Sequence, residues 1–177
     1  MSSQSLVVTC IGPDRPGLVG DLTRVVATRS ANLEDSRMAI LGGEFAIIML
    51  VAVAPEQRAA LEADLEAHAA STGLALGIRT TATRPALSPG RSYRVRADTM
   101  DHPGIVQQVA DFFATRGINI TDLETSVWPA PHTGTPMFTL DMQIVVPASV
   151  GTRALREAFA GFCADTDLDA TLEPSGP

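Results

Sequence analysis

Lysine is absent from the 177-residue sequence, and all 13 basic residues are arginines. Enzymes that form a Schiff base, including the pyridoxal enzymes, carry it on a lysine amine, so this chain cannot perform that chemistry. The phosphate-binding motif G-x-x-x-x-G-K-[ST] also needs a lysine, and the dinucleotide motif G-x-G-x-x-G does not occur in the glycine-rich stretch "GPDRPGLVG". No cofactor is therefore expected.

Cysteine and histidine are scarce. Cys10 and Cys163 are far apart and form no CxxC motif, so neither a disulfide framework nor a zinc site is expected. The three histidines, His68, His102 and His132, are scattered, and no serine stands in a convincing His and Asp framework. No paired carboxylates stand out either. We predict no metal site, no catalytic residues and a protein that is not an enzyme.

Positive charge is also in short supply. The formal net charge is −7, with seven arginines against nine acidic residues up to Ser88 and six against 11 from Pro89 onward. Direct nucleic-acid binding is not expected, because it requires basic side chains that neutralise the phosphates, and neither half of the chain is basic. No apolar run reaches the roughly 18 residues that span a bilayer, and "MSSQSLVV" does not look like a signal peptide. We expect a cytoplasmic protein without membrane contact.

The sequence repeats itself once, 87 residues apart. The stretch "GPDRPGLVGDLTRVVATRSANLED" (12–35) aligns without a gap with "TMDHPGIVQQVADFFATRGINITD" (99–122). A period of this length is typical of a small domain used twice. The Pro- and Ser-rich "TRPALSPGR" between the copies predicts a linker. The predicted organisation is a first domain over 1–84, a linker over 85–91 and a second domain over 92–177.

Each copy predicts the element order βαββαβ. In the first copy "LVVTCI" is typical of a buried strand, and the apolar spacing of "LVGDLTRVV" predicts a helix. "LEDSRMAIL" and "EFAIIMLVAV" predict a hairpin through Gly42 and Gly43, a second helix is expected from Pro55, and "LALGI" predicts the last strand. The second copy differs by the insert "PAPHTGTP" (129–136), expected to project as a loop. The fold class is α+β: two tandem ferredoxin-like domains, each an antiparallel sheet with helices on one face.

The third strand of the first copy is apolar on both faces, because its outward positions are Ala46, Ile48 and Leu50. In the second copy "FTLDMQI" alternates apolar and polar residues, as expected for a sheet with one wet face. An uncovered apolar face would form an exposed patch, so we predict a partner surface in the first copy. The other domain or a second subunit could cover it, and a homodimer or higher oligomer is expected.

The doubled turn before the first helix contains the elements of a ligand site. Pro16 suits the first helical position, Gly17 leaves the backbone open, and Asp14 can accept hydrogen bonds from the first amides. The remaining free amides suit a carboxylate or another anion. Asn32 can join them only where chains or domains meet edge to edge, which predicts an interfacial site. The same residues are equally compatible with ordinary turn chemistry.

Both copies resemble the ACT domain, a regulatory module that binds amino acids, in the D-x-P-G-[LI]-[LV] turn, the helix and the following x-N-[IL]. A tandem ACT chain of this length is similar to the glycine cleavage system transcriptional repressor family. The resemblance implies a small amino acid such as glycine as the ligand, and control of transcription through a regulatory protein partner. The two copies leave no room for a catalytic domain, and the acidic charge agrees with repression without direct DNA contact.

The resemblance implies two sets of ligand-binding residues. The first is Asp14, Arg15, Pro16, Gly17, Leu18 and Val19, with Asn32 and Leu33 at the start of the second strand. The second is Asp101, His102, Pro103, Gly104, Ile105 and Val106, with Asn119 and Ile120. His102 stands where the first copy has Arg15, and only the second copy has the long insert, so the two sites are not expected to bind equally.

Two other functions compete with an amino-acid sensor. The chain could be a regulatory subunit that binds an amino acid and controls a separately encoded metabolic enzyme, and copurification with such an enzyme would favour that hypothesis. A small hydrolase or isomerase on the same scaffold is the third hypothesis, since fold does not fix function. The few histidines and the missing lysine argue against it.

Overall fold

The computed structural model describes residues 3–82 and 90–175. The chain divides into two compact units, Met1–Pro85 and Ala86–Pro177. The first unit contains β1 (Gln4–Pro13), α1 (Leu18–Thr28), β2 (Asn32–Leu41), β3 (Glu44–Val53), α2 (Arg58–Thr72) and β4 (Ala75–Thr81). The second contains β5 (Gly90–Met100), α3 (Ile105–Ala114), β6 (Asn119–Pro129), β7 (Pro136–Pro147), α4 (Thr152–Thr166) and β8 (Asp169–Pro174). The element order predicted from the repeat is confirmed in both.

Each unit folds its four strands into one antiparallel sheet. The strand order is β2-β3-β1-β4 in the first and β6-β7-β5-β8 in the second. β1 and β5 lie in the centre, each followed by the turn that carries the candidate site, while β2 and β6 form one edge. This is the predicted ferredoxin-like arrangement.

One face of each sheet is closed by two helices because apolar residues recur at helical spacing. Leu18, Leu22 and Val26 of α1 are buried, and so are Leu61 and Leu65 of α2. They pack against alternate residues of the strands, which leaves the other set of strand residues on the opposite face. Burial of each large aliphatic side chain stabilises the domain by roughly 1.5–3 kcal/mol.

The second core is richer in aromatic rings. Phe113 is fully buried, with ring centroids 5.1 Å from Phe112 and 5.7 Å from Phe159. The guanidinium of Arg116 lies 3.8 Å from the centroid of the Phe112 ring, a cation–π contact at the end of α3. Leu65 of the first domain corresponds to Phe159 of the second in its place on the second helix. The same backbone therefore encloses two different cores.

Two sequence predictions, the start of the second helix and the end of the linker, need correction. The second helix begins at Arg58 and not at Pro55, because the amide of Gln57 first closes a turn on the carbonyl of Ala54 at 2.9 Å. The expected linker, 85–91, includes two strand residues, since Gly90 and Arg91 pair with residues of β7. Its remaining residues, 85–89, lie outside the described part of the chain, and the predicted domain boundaries stay a prediction.

The loop of the second copy is shorter than the predicted insert over 129–136. Pro129 and Pro136 face each other as paired strand ends, and Ala130 donates its amide to the carbonyl of Thr135 at 2.9 Å. A proline is tolerated at the first residue of a strand and on an edge strand, because no ladder amide is lost there. The loop is confined to residues 130–135.

None of the helices in the described ranges is both long enough and apolar enough to cross a lipid bilayer.

Candidate functional site

The glycine of each turn caps a helix in the left-handed conformation. Gly17 has φ 93° and Gly104 has φ 98°, and each is the N-cap residue of the helix that follows. Pro16 and Pro103 therefore precede the helix instead of filling its first position, as the sequence had suggested. A side chain is strained at such φ values, so glycine is required by the backbone, while the space around Gly17 is open.

The amides at the start of each helix have no capping partner among the described residues. No side chain caps Gly17 or Gly104, so the expected role of Asp14 and Asp101 as side-chain caps is wrong. The first helical bond runs from Asp21 to the carbonyl of Gly17, and its counterpart to Gly104, each at 2.9 Å. The three preceding N–H groups of each helix stay free to bind an anion.

The two aspartates instead fix the turn through their backbone. Asp14 donates its amide to the carbonyl of Gly43 at 3.0 Å, and Asp101 donates its amide to the carbonyl of Pro136 at 3.0 Å. The acceptors belong to the hairpin between the second and third strands of each domain. Both aspartates are exposed. The strand end thus holds each turn in one position.

The arginine of the first turn, Arg15, is held in place by hydrogen bonds that the sequence analysis did not predict. Arg15 donates from Nη2 to Asp21 Oδ2 at 2.9 Å and from Nη1 to the carbonyl of Pro16 at 3.3 Å. The hydrogen bond from Arg15, with a second one from Arg24, keeps the pKa of Asp21 below its usual value. Asp21 was missed because only its first-turn position marks it. A guanidinium beside free helix amides suits a carboxylate ligand.

The second turn has the same geometry as the first but lacks its arginine–aspartate ion pair. The Nδ1 atom of His102 lies 3.2 Å from the carbonyl of Pro103, as the Arg15 side chain lies against Pro16. Gln108 stands in place of the acidic residue that holds Arg15, with its Nε2 atom 3.6 Å from where a Cβ on Gly104 would lie. This turn offers a neutral amide in place of the arginine–aspartate pair.

Not every predicted site residue points its side chain toward the turn. Leu18 and Ile105 are 2% and 4% exposed and belong to the two cores, so they anchor the helix start. Three others pack partly against the cores, and these are Leu33, Val106 and Ile120. Val19 is 39% exposed and faces outward.

The predicted asparagines lie at the opposite end of the sheet from the turn. Asn32 is the first residue of β2 and pairs with Ala52, which lies opposite Ser5 near the start of β1. The turn follows Pro13, eight residues further along β1, or about 26 Å at roughly 3.3 Å per residue. Asn119 has the same place in the second sheet. Within one domain, turn and asparagine therefore cannot share a ligand.

The edge strands that begin with these asparagines expose large apolar side chains. Met38 and Ile40 of β2 are each 51% exposed, and Leu123 and Val127 of β6 are 42% and 58% exposed. They lie on the helix-bearing side, because their cross-strand partners are buried residues of β3 and β7. A long edge strand with apolar side chains is a template for pairing with another strand.

Two open grooves lie along the helices. One, of about 550 Å³, runs between α1 and α2, and the other, of about 440 Å³, lies along α4 and β8 beside Cys163. The charged groups of the first groove already bind one another: Asp21 bonds Arg24, and Asp64 bonds Arg29. The free backbone donors lie at the turns, so the candidate site is assigned to the turns and not to the grooves.

Comparison with known proteins agrees with this geometry. The ACT domain family profile matches residues 4–79. The glycine cleavage system transcriptional repressor of Escherichia coli (strain K12) is 30% identical over 173 residues, which are 97% of this chain and 91% of that protein. A solved structure of an unknown protein from Galdieria sulphuraria is 32% identical with a TM-score of 0.80, covering 99% of this chain and all of that one.

A second solved structure, provisionally named as a glycine cleavage system transcriptional repressor, is 25% identical with a TM-score of 0.79 over the full length of both chains. Likeness over both domains, with the ACT turn in each, is more specific than likeness to one domain. The chain belongs to the family of glycine cleavage system transcriptional repressors, and its residues 4–79 match the ACT domain.

Proposed function

We propose that this protein is a non-catalytic regulator that binds a small amino acid, with glycine as the first candidate, and thereby alters its contact with a transcription regulator. One observation carries the proposal: the same uncapped helix start, with glycine in the left-handed conformation, occurs in both domains. A carboxylate fits a helix N-terminus because the free amides point at it and the helix dipole attracts it. The name of the Escherichia coli relative supports glycine metabolism as the controlled process.

A complete site needs a turn from one domain and the start of an edge strand from another. Antiparallel pairing of two edge strands would bring the Asn32 or Asn119 of one domain to the turn end of its neighbour. The amino acid carboxylate would then bind the helix amides, and the asparagine would contact its ammonium group through the side-chain oxygen. The exposed apolar residues of β2 and β6 support this pairing.

The first domain offers the stronger site of the two. Arg15 supplies a positive charge that Asp21 holds beside the helix start, whereas His102 and Gln108 supply no permanent charge. A hydrogen bond to a charged group is worth about 1.5–3 kcal/mol, which is roughly a 10- to 100-fold difference in affinity. We expect one tight and one weak binding step.

The charge of the chain supports regulation through a protein partner. A net charge of −7 disfavours approach to DNA phosphates, so the chain alone is expected to leave labelled DNA free at physiological salt. Repression then requires a second protein that contacts DNA. Amino acid binding between edge strands would change which surface is presented to that protein.

The ligand is tested by calorimetry and thermal unfolding with each of the twenty amino acids at millimolar concentration. A ligand that binds only the native state raises the unfolding midpoint by mass action. Glycine or one other small amino acid should bind selectively, and Arg15→Ala should weaken that binding by roughly tenfold or more. Arg24→Ala is the matched control, because it removes the same charge and another Asp21 contact one turn away. No binding by any amino acid would contradict the proposal.

The partner is tested with the tagged full chain as bait in an extract of its own source, with and without the bound amino acid. Identification of a DNA-binding regulator whose retention depends on the amino acid would support the proposal. Amino-acid-dependent retention of a metabolic enzyme would instead support the regulatory-subunit hypothesis and contradict the present one.

A further inference from the structure

The two sheets differ most on the face that carries no helices, called here the open face. In the first domain five central positions of this face are apolar, Val7, Ile11, Ala46, Ile48 and Leu50, and the polar one between them is Thr9, whose hydroxyl donates to the carbonyl of Gly77. Ile11 is 52% exposed and Ile48 is 48% exposed. An apolar sheet face of this size marks an interaction surface.

The second domain has the same topology and register but polar residues at the matching positions. They are Arg94, Asp98, Thr139, Asp141 and Gln143. Their groups already bind one another: Arg94 donates to Asp141, and Thr139 donates to Asp98 at 2.7 Å. The first open face therefore suits contact with an apolar surface, and the second suits contact with water.

We propose that the open face of the first domain packs against the same face of a second copy of this chain. The second domain's open face is a poor cover, since it would bury Arg94, Asp98 and Asp141 against apolar side chains. A surface that meets its own copy about a two-fold axis must be complementary to itself. Apolar residues meet that condition at the centre of this face.

The charges at the edges of the face meet the same condition. Asp35, Leu50, Val7 and Arg79 form one row of cross-strand neighbours, with opposite charges at its two ends. Asp35 and Arg79 are both exposed, and Asp35 also accepts a hydrogen bond from Arg37 of the same strand at 2.9 Å, which leaves its second carboxylate oxygen for Arg79. Consider a two-fold axis that lies between the two stacked sheets and runs parallel to their strands. It places this row of one chain over the same row of the other chain in reverse order. Arg79 of each chain then lies over Asp35 of the other, so two ion pairs flank the apolar centre.

The matching row of the second domain does not allow this arrangement. It consists of Asp122, Gln143, Arg94 and Glu173, with acidic residues at both ends. Under the same two-fold axis each glutamate would lie over an aspartate, and like charges would repel. The edge charges thus select pairing of first domains over pairing of second domains.

The area of the open face indicates how strongly two copies of the chain are expected to associate. Four strands about 4.8 Å apart, with about seven residues each at roughly 3.3 Å per residue, give about 450 Å² per face and about 900 Å² for the pair. Specific interfaces begin near 1,000–1,200 Å², so a dissociation constant of the order of micromolar is expected. This contact uses the open face of the four strands and neither the unpaired backbone edge of β2 nor the turns, so it does not depend on the proposed ligand.

The first test is the molar mass of the full chain, measured by sedimentation and light scattering between about 1 and 100 µM without amino acids. Ile48→Asp installs the residue that the second domain has at this position, and it should halve the mass relative to the wild type. Gln143→Asp is the matched control on the other open face and should leave the mass unchanged. Circular dichroism checks the fold of each variant, and Ile11→Asp repeats the test at the second exposed position.

The second test exchanges the edge charges. Arg79→Asp should raise the dissociation constant by roughly tenfold, and adding Asp35→Arg should restore it, because the ion pairs are then reformed in reverse. A wild-type chain that is monomeric up to about 100 µM would overturn the proposal, as would a mass that Ile48→Asp leaves unchanged. Failure of the double variant to restore association would overturn the stated two-fold arrangement.

Discussion

Arg29 and Asp64 join the two helices of the first domain by a two-point ion pair. Arg29 Nε donates to Asp64 Oδ2 at 2.6 Å, and Nη2 donates to Oδ1 at 3.0 Å. The residues are 35 positions apart in the chain, so the pair links α2 to the end of α1. Two parallel hydrogen bonds from a planar guanidinium restrict the relative orientation of the two helices, and the opposite charges attract each other.

This ion pair predicts acid sensitivity of the first domain. The hydrogen bond from Arg29 holds the pKa of Asp64 below its usual value. A carboxyl whose pKa is lower in the folded state stabilises the fold above its unfolded pKa, near 3.9, and loses that contribution as the pH falls through the folded value. Asp64→Asn should lower the unfolding midpoint slightly at pH 7 and flatten its fall below about pH 4. Glu66→Gln, on the same helix, is the control in thermal unfolding followed from pH 2 to 7.

The left-handed cap predicts opposite effects of alanine at two neighbouring glycines. Gly17→Ala places a Cβ in the left-handed region and should destabilise the first domain by roughly 1–2 kcal/mol. Gly20→Ala adds a methyl group to open space in the first turn of α1 and should stabilise it by up to about 1 kcal/mol. Denaturant unfolding measures both. Equal effects at the two positions would contradict the cap conformation. Because Gly17 variants alter stability, Arg15 is the better position for a binding test.

The aromatic core predicts a large effect confined to the second domain. Phe113→Ala removes a fully buried ring that packs on Phe112 and Phe159, and it should destabilise that domain by about 3–5 kcal/mol. Phe162→Ala, at the half-buried margin of the same cluster, should cost clearly less. Hydrogen exchange resolved by residue follows the two domains separately. Loss of protection in β1 and β3 to the same extent would show that the domains do not unfold independently.

The two free thiols are expected to react slowly and to different extents. Burial raises the pKa of Cys10, and burial together with the charge of Asp169 raises that of Cys163, so both thiolates are scarce near neutral pH. At pH 8, iodoacetamide should modify Cys163 more slowly than free cysteine and Cys10 only after unfolding. Mass spectrometry of the alkylated peptides measures both rates. Rapid labelling of Cys10 in the folded protein would contradict its burial.

The repeat and the periodicity of apolar residues were enough to predict both domains. The alternation of "LVVTCI" and the helical spacing of Leu18, Leu22 and Val26 are local patterns, and each has one way to face a core. Exact element ends depended on backbone hydrogen bonds, such as that from Gln57 to Ala54, which no composition signal marks.

The residues of the candidate site could be predicted from its sequence motif, but their backbone conformation and hydrogen bonds could not. The turn residues are contiguous, so a doubled D-x-P-G motif points to them directly. The positive φ of Gly17, the unused side chain of Asp14 and the hold of Asp21 on Arg15 depend on how the turn meets the hairpin and the helix. Several hydrogen-bonded arrangements suit the same residues, and only the folded backbone selects one.

The sequence by itself determined the tandem ferredoxin-like fold and the apolar character of the first open face, because both follow from residue periodicity along single strands and helices. Tertiary structure alone decided which residues become neighbours across strands. Strand register places Asp35 and Arg79 at the two ends of one row, and strand direction places Asn32 at the far end of the sheet from Gly17. Register is a relation between segments distant in the chain, so it is fixed only when the whole sheet assembles.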